Sequence, residues 1–195
     1  MLAGIGAEAT YPYRLRGALS FGKKPVMYLR ALFAFVALPG MVAGLIPALL
    51  VAADDRRSGG STLGFVFMVP GLLLLLTCVR DFFVSGRGTL APWDPPKQLV
   101  VVGLYRFVRN PMYVCVLTLL VGWWVVSGSR GVAWYAAAWA VIFHLRVVYH
   151  EERWLQRQFG AEWAAYSASV RRWLPRLRPW QQDESSEQCV SVNKG

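Results

Sequence analysis

The chain has 195 residues, a formal net charge of +10, 55% hydrophobic residues and only 16% charged ones. A water-soluble domain carries about 25% charged residues, so the deficit points to a solvent other than water, and 9 Trp, 8 Tyr and 10 Phe make the chain too apolar to be disordered. Three cysteines, two in apolar runs and Cys189 in a polar tail, exclude a disulfide scaffold and lie at no metal-ligand spacing.

In chain order, residues 1–30 form a basic N-terminal segment, followed by 23 uncharged residues from 31 to 53, about 34 Å as a helix. A second uncharged run, 62–79, is about 27 Å long as a helix. The third lies between Arg109 and Arg130, and the fourth starts at Gly131 and extends to Tyr149 if Arg146 snorkels or faces protein. These runs predict an all-α integral membrane protein with transmembrane helices at about 31–53, 62–80, 111–129 and 131–149 within a domain spanning 31–180. No short apolar region with a small-residue cleavage site precedes the first run, so no removable signal is expected. With the N-terminus inside, 18 of the 21 Lys and Arg fall on the cytoplasmic face, leaving Arg56, Arg57 and Arg130 outside. The positive-inside rule then puts both termini in the cytoplasm, in a bacterial inner membrane or the endoplasmic reticulum. The basic excess is thus topological, and no recognition motif accompanies it to argue for nucleic acid.

The external connections are short. On the cytoplasmic side, Gly86, Gly88, Pro92, Pro95 and Pro96 forbid a continuous helix through 81–110 and predict a structured interfacial loop. Beyond Tyr149, Leu155, Phe159 and Trp163 recur every four residues between charges, which predicts an amphipathic helix lying on the membrane or capping the bundle, with an interruption at Gly160. Pro175 and Pro179 end it, and 181–195 reads as a polar, disordered tail.

Three groups of residues carry candidate chemistry. Around the start of the third helix, Tyr105, Arg106, Arg109, Asn110 and Tyr113 bring donors and rings together, although a basic juxtamembrane turn with Pro111 in the first helical turn has the same composition. At the end of the fourth helix, His150, Glu151 and Glu152 stand beyond Arg146, and adjacent acids there need a cation, a donor or water. A metal site is not expected, because the second histidine of an H-E-x-x-H pattern is absent and His144 and His150 share no helical face. Gly40 and Gly44, between Pro39 and Pro47, read as a small-residue packing surface.

The first two groups resemble the isoprenylcysteine carboxyl methyltransferase and phospholipid methyltransferase superfamily of integral membrane enzymes. The superfamily pattern L-V-x-x-G-x-Y-x-x-x-R-H-P-x-Y stands here as Leu99, Val100, Gly103, Tyr105, Arg109, Asn110, Pro111 and Tyr113. A transmembrane hairpin follows, then Glu151 and Glu152, then Phe159, Gly160, Glu162, Trp163 and Tyr166, and a basic segment ending at Pro175. The resemblance covers roughly 86–175. It implies a methyltransferase that moves a methyl group from S-adenosylmethionine to a lipid-like acceptor entering from the bilayer, an isoprenylcysteine-type carboxylate or a phospholipid amine, with O-methylation favoured. It further implies a cytoplasmic cofactor pocket, formed by the loop before helix three and the C-terminal amphipathic helix. By matching positions, Lys97, Gln98, Leu99, Val100, Tyr105, Asn110, Pro111, Met112, Tyr113 and Glu151 line that pocket, and Arg109, Glu152 and Arg146 are the catalytic candidates.

Two departures shape the expectation. Asn110 replaces the histidine usual before the proline, keeping a donor and an acceptor but losing titration near neutral pH. The prenylcysteine enzymes have an arginine four residues before the first glutamate, where this chain has Val147, with Arg146 one place earlier and so turned by about 100° on an α-helix. An amine acceptor also has to lose a proton, for which Glu152 or His150 is the nearest base. The alternatives are a membrane reductase of the sterol type using NADPH, and a non-enzymatic four-helix subunit in which Arg109 and Glu151 are interfacial anchors.

Overall fold

The computed structural model describes residues 36–55, 59–86 and 99–181; Lys97, Gln98, most of the N-terminal segment and nearly all of the polar tail lie outside them. Every element among the described residues is helical. The first helix, α1, runs over 36–53, with π-helical turns at Val36–Leu45 continuing as α-helix Ile46–Ala53. Proline explains part of this irregularity. Pro47 has no N–H to offer one carbonyl of the preceding turn, and two carbonyls of that turn accept from side chains: Val42 from the Tyr135 hydroxyl at 3.1 Å and Ala43 from Trp123 Nε1 at 2.9 Å.

A short 3-10 turn, Thr62–Gly64, whose amide at Leu63 is capped by the Ser61 hydroxyl, leads into α2, Phe65–Gly86. Helix α3, Pro111–Ser127, ends at Gly128 in the left-handed conformation, and Ser129 caps α4, Arg130–Arg146, so two residues make the hairpin. The Ser129 hydroxyl also donates to Asp54, tying the end of α1 to the start of α4. A π-turn, Val147–Glu151, joins α4 to α5, Glu152–Ser169, which bends sharply at Gly160. A strap, residues 170–181, follows without regular structure.

Two stretches, Thr62–Asp81 and Arg130–Ser169, are long and apolar enough to cross a membrane, and Pro39–Ala53 and Pro111–Ser127 form shorter apolar helices. Much of this apolar surface faces outward: Phe65, Val66, Val69, Leu73, Trp134 and Ile142 are all exposed. Burying large side chains toward the interior and leaving others outside is the pattern of a lipid-solvated bundle, in which tails rather than water meet the outer face.

Helix α3 lies along α2 at very short range. A Cβ added at Gly64 would stand 2.6 Å from the Gly122 carbonyl oxygen, and one at Gly122 would stand 2.4 Å from Met68 Cγ. Small residues that let backbones meet are the expected means of association between apolar helices. The sequence pattern placed this role on Gly40 and Gly44, but among the described residues a Cβ at Gly44 meets nothing within 4 Å. The close approach joins α3 to the 3-10 turn and the first turn of α2, because Gly64 and Gly122 face each other, whereas Gly44 has no such neighbour among the described residues.

Candidate functional site

The site is assembled at one end of the bundle by three segments: the turn before α3, the junction of α4 and α5, and the strap. The turn begins with extended Leu99–Val102 and one 3-10 turn, Gly103–Arg106. Gly103 is required there twice over, since its φ is +53° and a Cβ would lie 2.0 Å from Asp81 Oδ2 at the base of α2. Tyr105 is buried in the bundle core with Val100, Cys115 and Phe143. Its backbone carbonyl accepts the Tyr166 hydroxyl of α5 at 2.6 Å. Burial pushes the phenols of both Tyr105 and Tyr166 above the usual tyrosine range, so both stay protonated at neutral pH.

Adjacent glutamates at the α4–α5 junction go to different partners. Glu152 accepts Arg109 Nη1 at 2.9 Å and, in a bidentate pair, Arg172 Nε and Nη2 at 2.8 Å each. Glu151 accepts the Tyr113 hydroxyl and Arg146 Nε, the latter at 2.8 Å, both on Oε1. Glu152 is the less exposed of the two, at 17% of its side chain against 26% for Glu151. The two arginines on Glu152 respond oppositely: burial pulls Arg109 below its usual range against the opposing pull of Glu152, while hydrogen bonds to Glu152 push Arg172 up. Both remain guanidinium at neutral pH. Arg109 also stacks over Trp163, 5.8 Å from the ring centroid, and its Nε is buried with no hydrogen-bond partner among the described residues.

The π-turn resolves the displacement of Arg146. On an α-helix, residues five apart differ by about 140° around the axis, and Arg146 would point away from Glu151. Widening the turn over Val147–Glu151 brings the pair onto one side, where the Nε to Oε1 bond forms. Val147 turns inward and is fully buried. The register change visible in sequence therefore leaves an arginine beside the first glutamate.

Other expected site residues divide between packing and polar contact. Leu99 packs against the α5 cluster of Trp163, Tyr166 and Val170; Val100, Met112 and Pro111 face the bundle interior. The Asn110 amide donates to the Arg172 carbonyl at 3.3 Å, a hydrogen-bonding role in keeping with its inability to titrate. Tyr113 packs on Phe143, 4.5 Å between ring centroids, and Trp139 continues the aromatic row at 5.1 Å from Phe143. Leu155, Phe159 and Trp163 meet in one cluster across the Gly160 bend, as their spacing predicted.

A family model for phospholipid methyltransferases matches residues 61–162, just over half of the chain. The chain belongs to the phospholipid methyltransferase family. It is accordingly a membrane methyltransferase, within the superfamily that the motifs at 99–113 and 151–166 resemble. No curated protein and no solved structure matched the chain. The family match takes in α2, α3, α4, the π-turn and both glutamates, and stops at Glu162. Arg172, which makes the bidentate bond to Glu152, lies beyond it, as does the whole strap. Motif matching alone did not single out Arg172; the available signal was the basic run up to Pro179, in which four arginines are indistinguishable by sequence.

Proposed function

We propose that the chain transfers a methyl group from S-adenosylmethionine to a lipid-like acceptor at the cytoplasmic end of four membrane spans, α1 to α4. The observation that carries this is the division of labour between the adjacent glutamates, one fixed between two arginines and the other open beside Tyr113 and Arg146. The family's methyltransferases generally use this cofactor. S-adenosylmethionine supplies an already activated methyl group, along with a carboxylate, an ammonium and a flat adenine. The residues present fit it. Arg109 Nε is a buried donor without a partner among the described residues, suited to a ligand carboxylate. Glu151 spends its bonds on Oε1, leaving Oε2 to accept from an ammonium or hydroxyl. The Tyr113–Phe143–Trp139 row offers faces to a cation or a flat ring. Lys97, Gln98, Leu99, Val100, Tyr105, Asn110, Pro111 and Met112 complete the pocket in this reading.

In-line methyl transfer needs two reactants aligned and water kept out, and neither requirement calls for a covalent intermediate. Arg109 and Glu152 supply the alignment: Glu152 holds Arg109 against Trp163 and, through Arg172, holds the strap over the turn. Both oxygens of Glu152 are engaged by Arg109 and Arg172, so Glu152 serves in position rather than as a base. That favours an acceptor already ionised at neutral pH, a carboxylate, over an amine. Arg146, about half exposed beyond its bond to Glu151, is suited to hold such a group. The NADPH reductase and non-enzymatic alternatives lack the family match that supports methyl transfer.

The test is binding of radiolabelled S-adenosylmethionine to the purified chain in lipid nanodiscs, in competition with NADPH. Saturable binding that Glu151→Gln weakens at least about tenfold, with the thermal transition intact, is expected; no binding by folded protein, or tighter binding of NADPH, overturns the reading. Mass spectrometry of lipid extracts made with and without the protein then names the acceptor by its gain of one methylene.

A further inference from the structure

The strap has two faces. Arg172, Trp173, Arg176 and Trp180 turn inward. The Arg172 side chain bonds Glu152 and Trp173 Nε1 donates to His144 at 3.3 Å. The backbone amides of Arg176 and Trp180 donate to the carbonyls of Phe107 and Arg106, each at 2.9 Å, and Arg106 Nε returns a bond to the Trp180 carbonyl at 2.8 Å. The strap is therefore bolted to the turn that opens α3 and to the last turn of α4. Its outward residues include Arg171, Leu174, Leu177 and Arg178, alongside Pro175 and Pro179. Leu177 is fully exposed and Leu174 is 63% exposed, apolar surface whose removal from water is favourable.

We infer that this outward face binds the anionic lipid surface of the leaflet at this end of the bundle, with Leu174 and Leu177 inserted among the acyl chains and Arg171 and Arg178 on headgroup phosphates. The occupant follows from charge and position. No acidic residue occurs between Glu162 and Asp183, while that stretch carries four arginines. Two leucines flanked by arginines, held at the ends of two apolar helices, combine apolar insertion with attraction to anionic headgroups. The inference rests on the reading of α3 and α4 as spans that end on this face. Because Arg172 and the Arg109 amide, which donates to the Arg171 carbonyl at 2.9 Å, join the same strap to the site, lipid binding also orders the turn that holds Arg109.

The test compares backbone hydrogen exchange over 171–178 in nanodiscs of phosphatidylcholine alone and of phosphatidylcholine mixed with phosphatidylglycerol. Exchange at Leu174 and Leu177 is expected to slow at least about tenfold in the anionic discs, and Arg171→Glu with Arg178→Glu to abolish the difference while preserving the thermal transition. Leu174→Ser with Leu177→Ser provides a second, charge-neutral variant, expected to weaken the protection. Equal exchange in the two lipids overturns the inference, as does protection in detergent that grows with protein concentration, which assigns the face to a second copy of the chain. Binding of S-adenosylmethionine, measured on the same samples, separates the two readings: its absence overturns the proposed activity and leaves the lipid difference to stand or fall by itself.

Discussion

Glu152 concentrates more interaction than any other side chain near the site, and its replacement should be correspondingly costly. Glu152→Gln leaves Arg109 half-buried beside Arg172 with no opposing charge. Breaking one partner of such an arrangement costs more than the pair contributes, and about 2–3 kcal/mol of stability is expected to be lost, read as a lowered thermal midpoint in detergent. Arg172→Lys should recover little of the loss, since an ammonium cannot reproduce the two-pronged bond. Tyr166 allows a pH prediction with a defined sign. Its folded pKa is raised by burial, so its contribution is fully present below the ordinary value of 10.0 and is lost as pH rises above it. Stability should fall on alkaline titration from about pH 10 upward, and Tyr166→Phe should flatten that fall while lowering stability at neutral pH by about 1 kcal/mol through loss of its bond to Tyr105. Sequence motifs identified Arg109, Tyr113 and both glutamates. They were blind to which glutamate takes which arginine, because that depends on the helical turn type between Val147 and Glu151.

That turn makes its own prediction among the elements. Deleting Val148 removes the extra residue, returns the junction to α-helical winding and puts Arg146 four positions before Glu151, so the pair should survive and ligand binding should persist. Inserting an alanine after Val148 rotates Arg146 away and should abolish binding, with helicity by circular dichroism unchanged in both variants. The α2–α3 contact is equally specific. Gly122→Ala sets a methyl against Met68 and the Gly64 carbonyl and should cost about 1–3 kcal/mol, whereas Gly44→Ala, facing open space, should be neutral in the same unfolding assay. Apolar length and the Leu155, Phe159, Trp163 period made the helices legible in sequence. The glycine partners were not, since a glycine's neighbour across a helix interface is a property of rotation about the axis, which composition does not encode. The π-helical start of α1 was hidden for a related reason, two prolines being compatible with a kink, a break or a widened turn.

For the molecule as a whole, the distribution of 18 cations against 3 makes a topological prediction. In a background with Cys189→Ser, a single added cysteine at Ser167 should react with an impermeant maleimide only from the cytoplasmic side, and one at Gly59 only from the opposite side. The native Cys78 and Cys115 are buried and should stay silent. The reverse pattern would invert the topology and move the site to the other leaflet. The carbonyls of Val42 and Ala43 add an order of events to this topology. Both lie in the turn before Pro47, which lacks the N–H that one of them would otherwise accept, and the groups that bond them, Trp123 and Tyr135, belong to helices synthesised later than α1. A bilayer offers unsatisfied carbonyls no water, so α1 cannot settle in its final place until α3 and α4 arrive. Assembly should therefore finish with α1, and Trp123→Phe with Tyr135→Phe should leave a chain in which α2, α3 and α4 pair normally while α1 is exposed to membrane proteolysis.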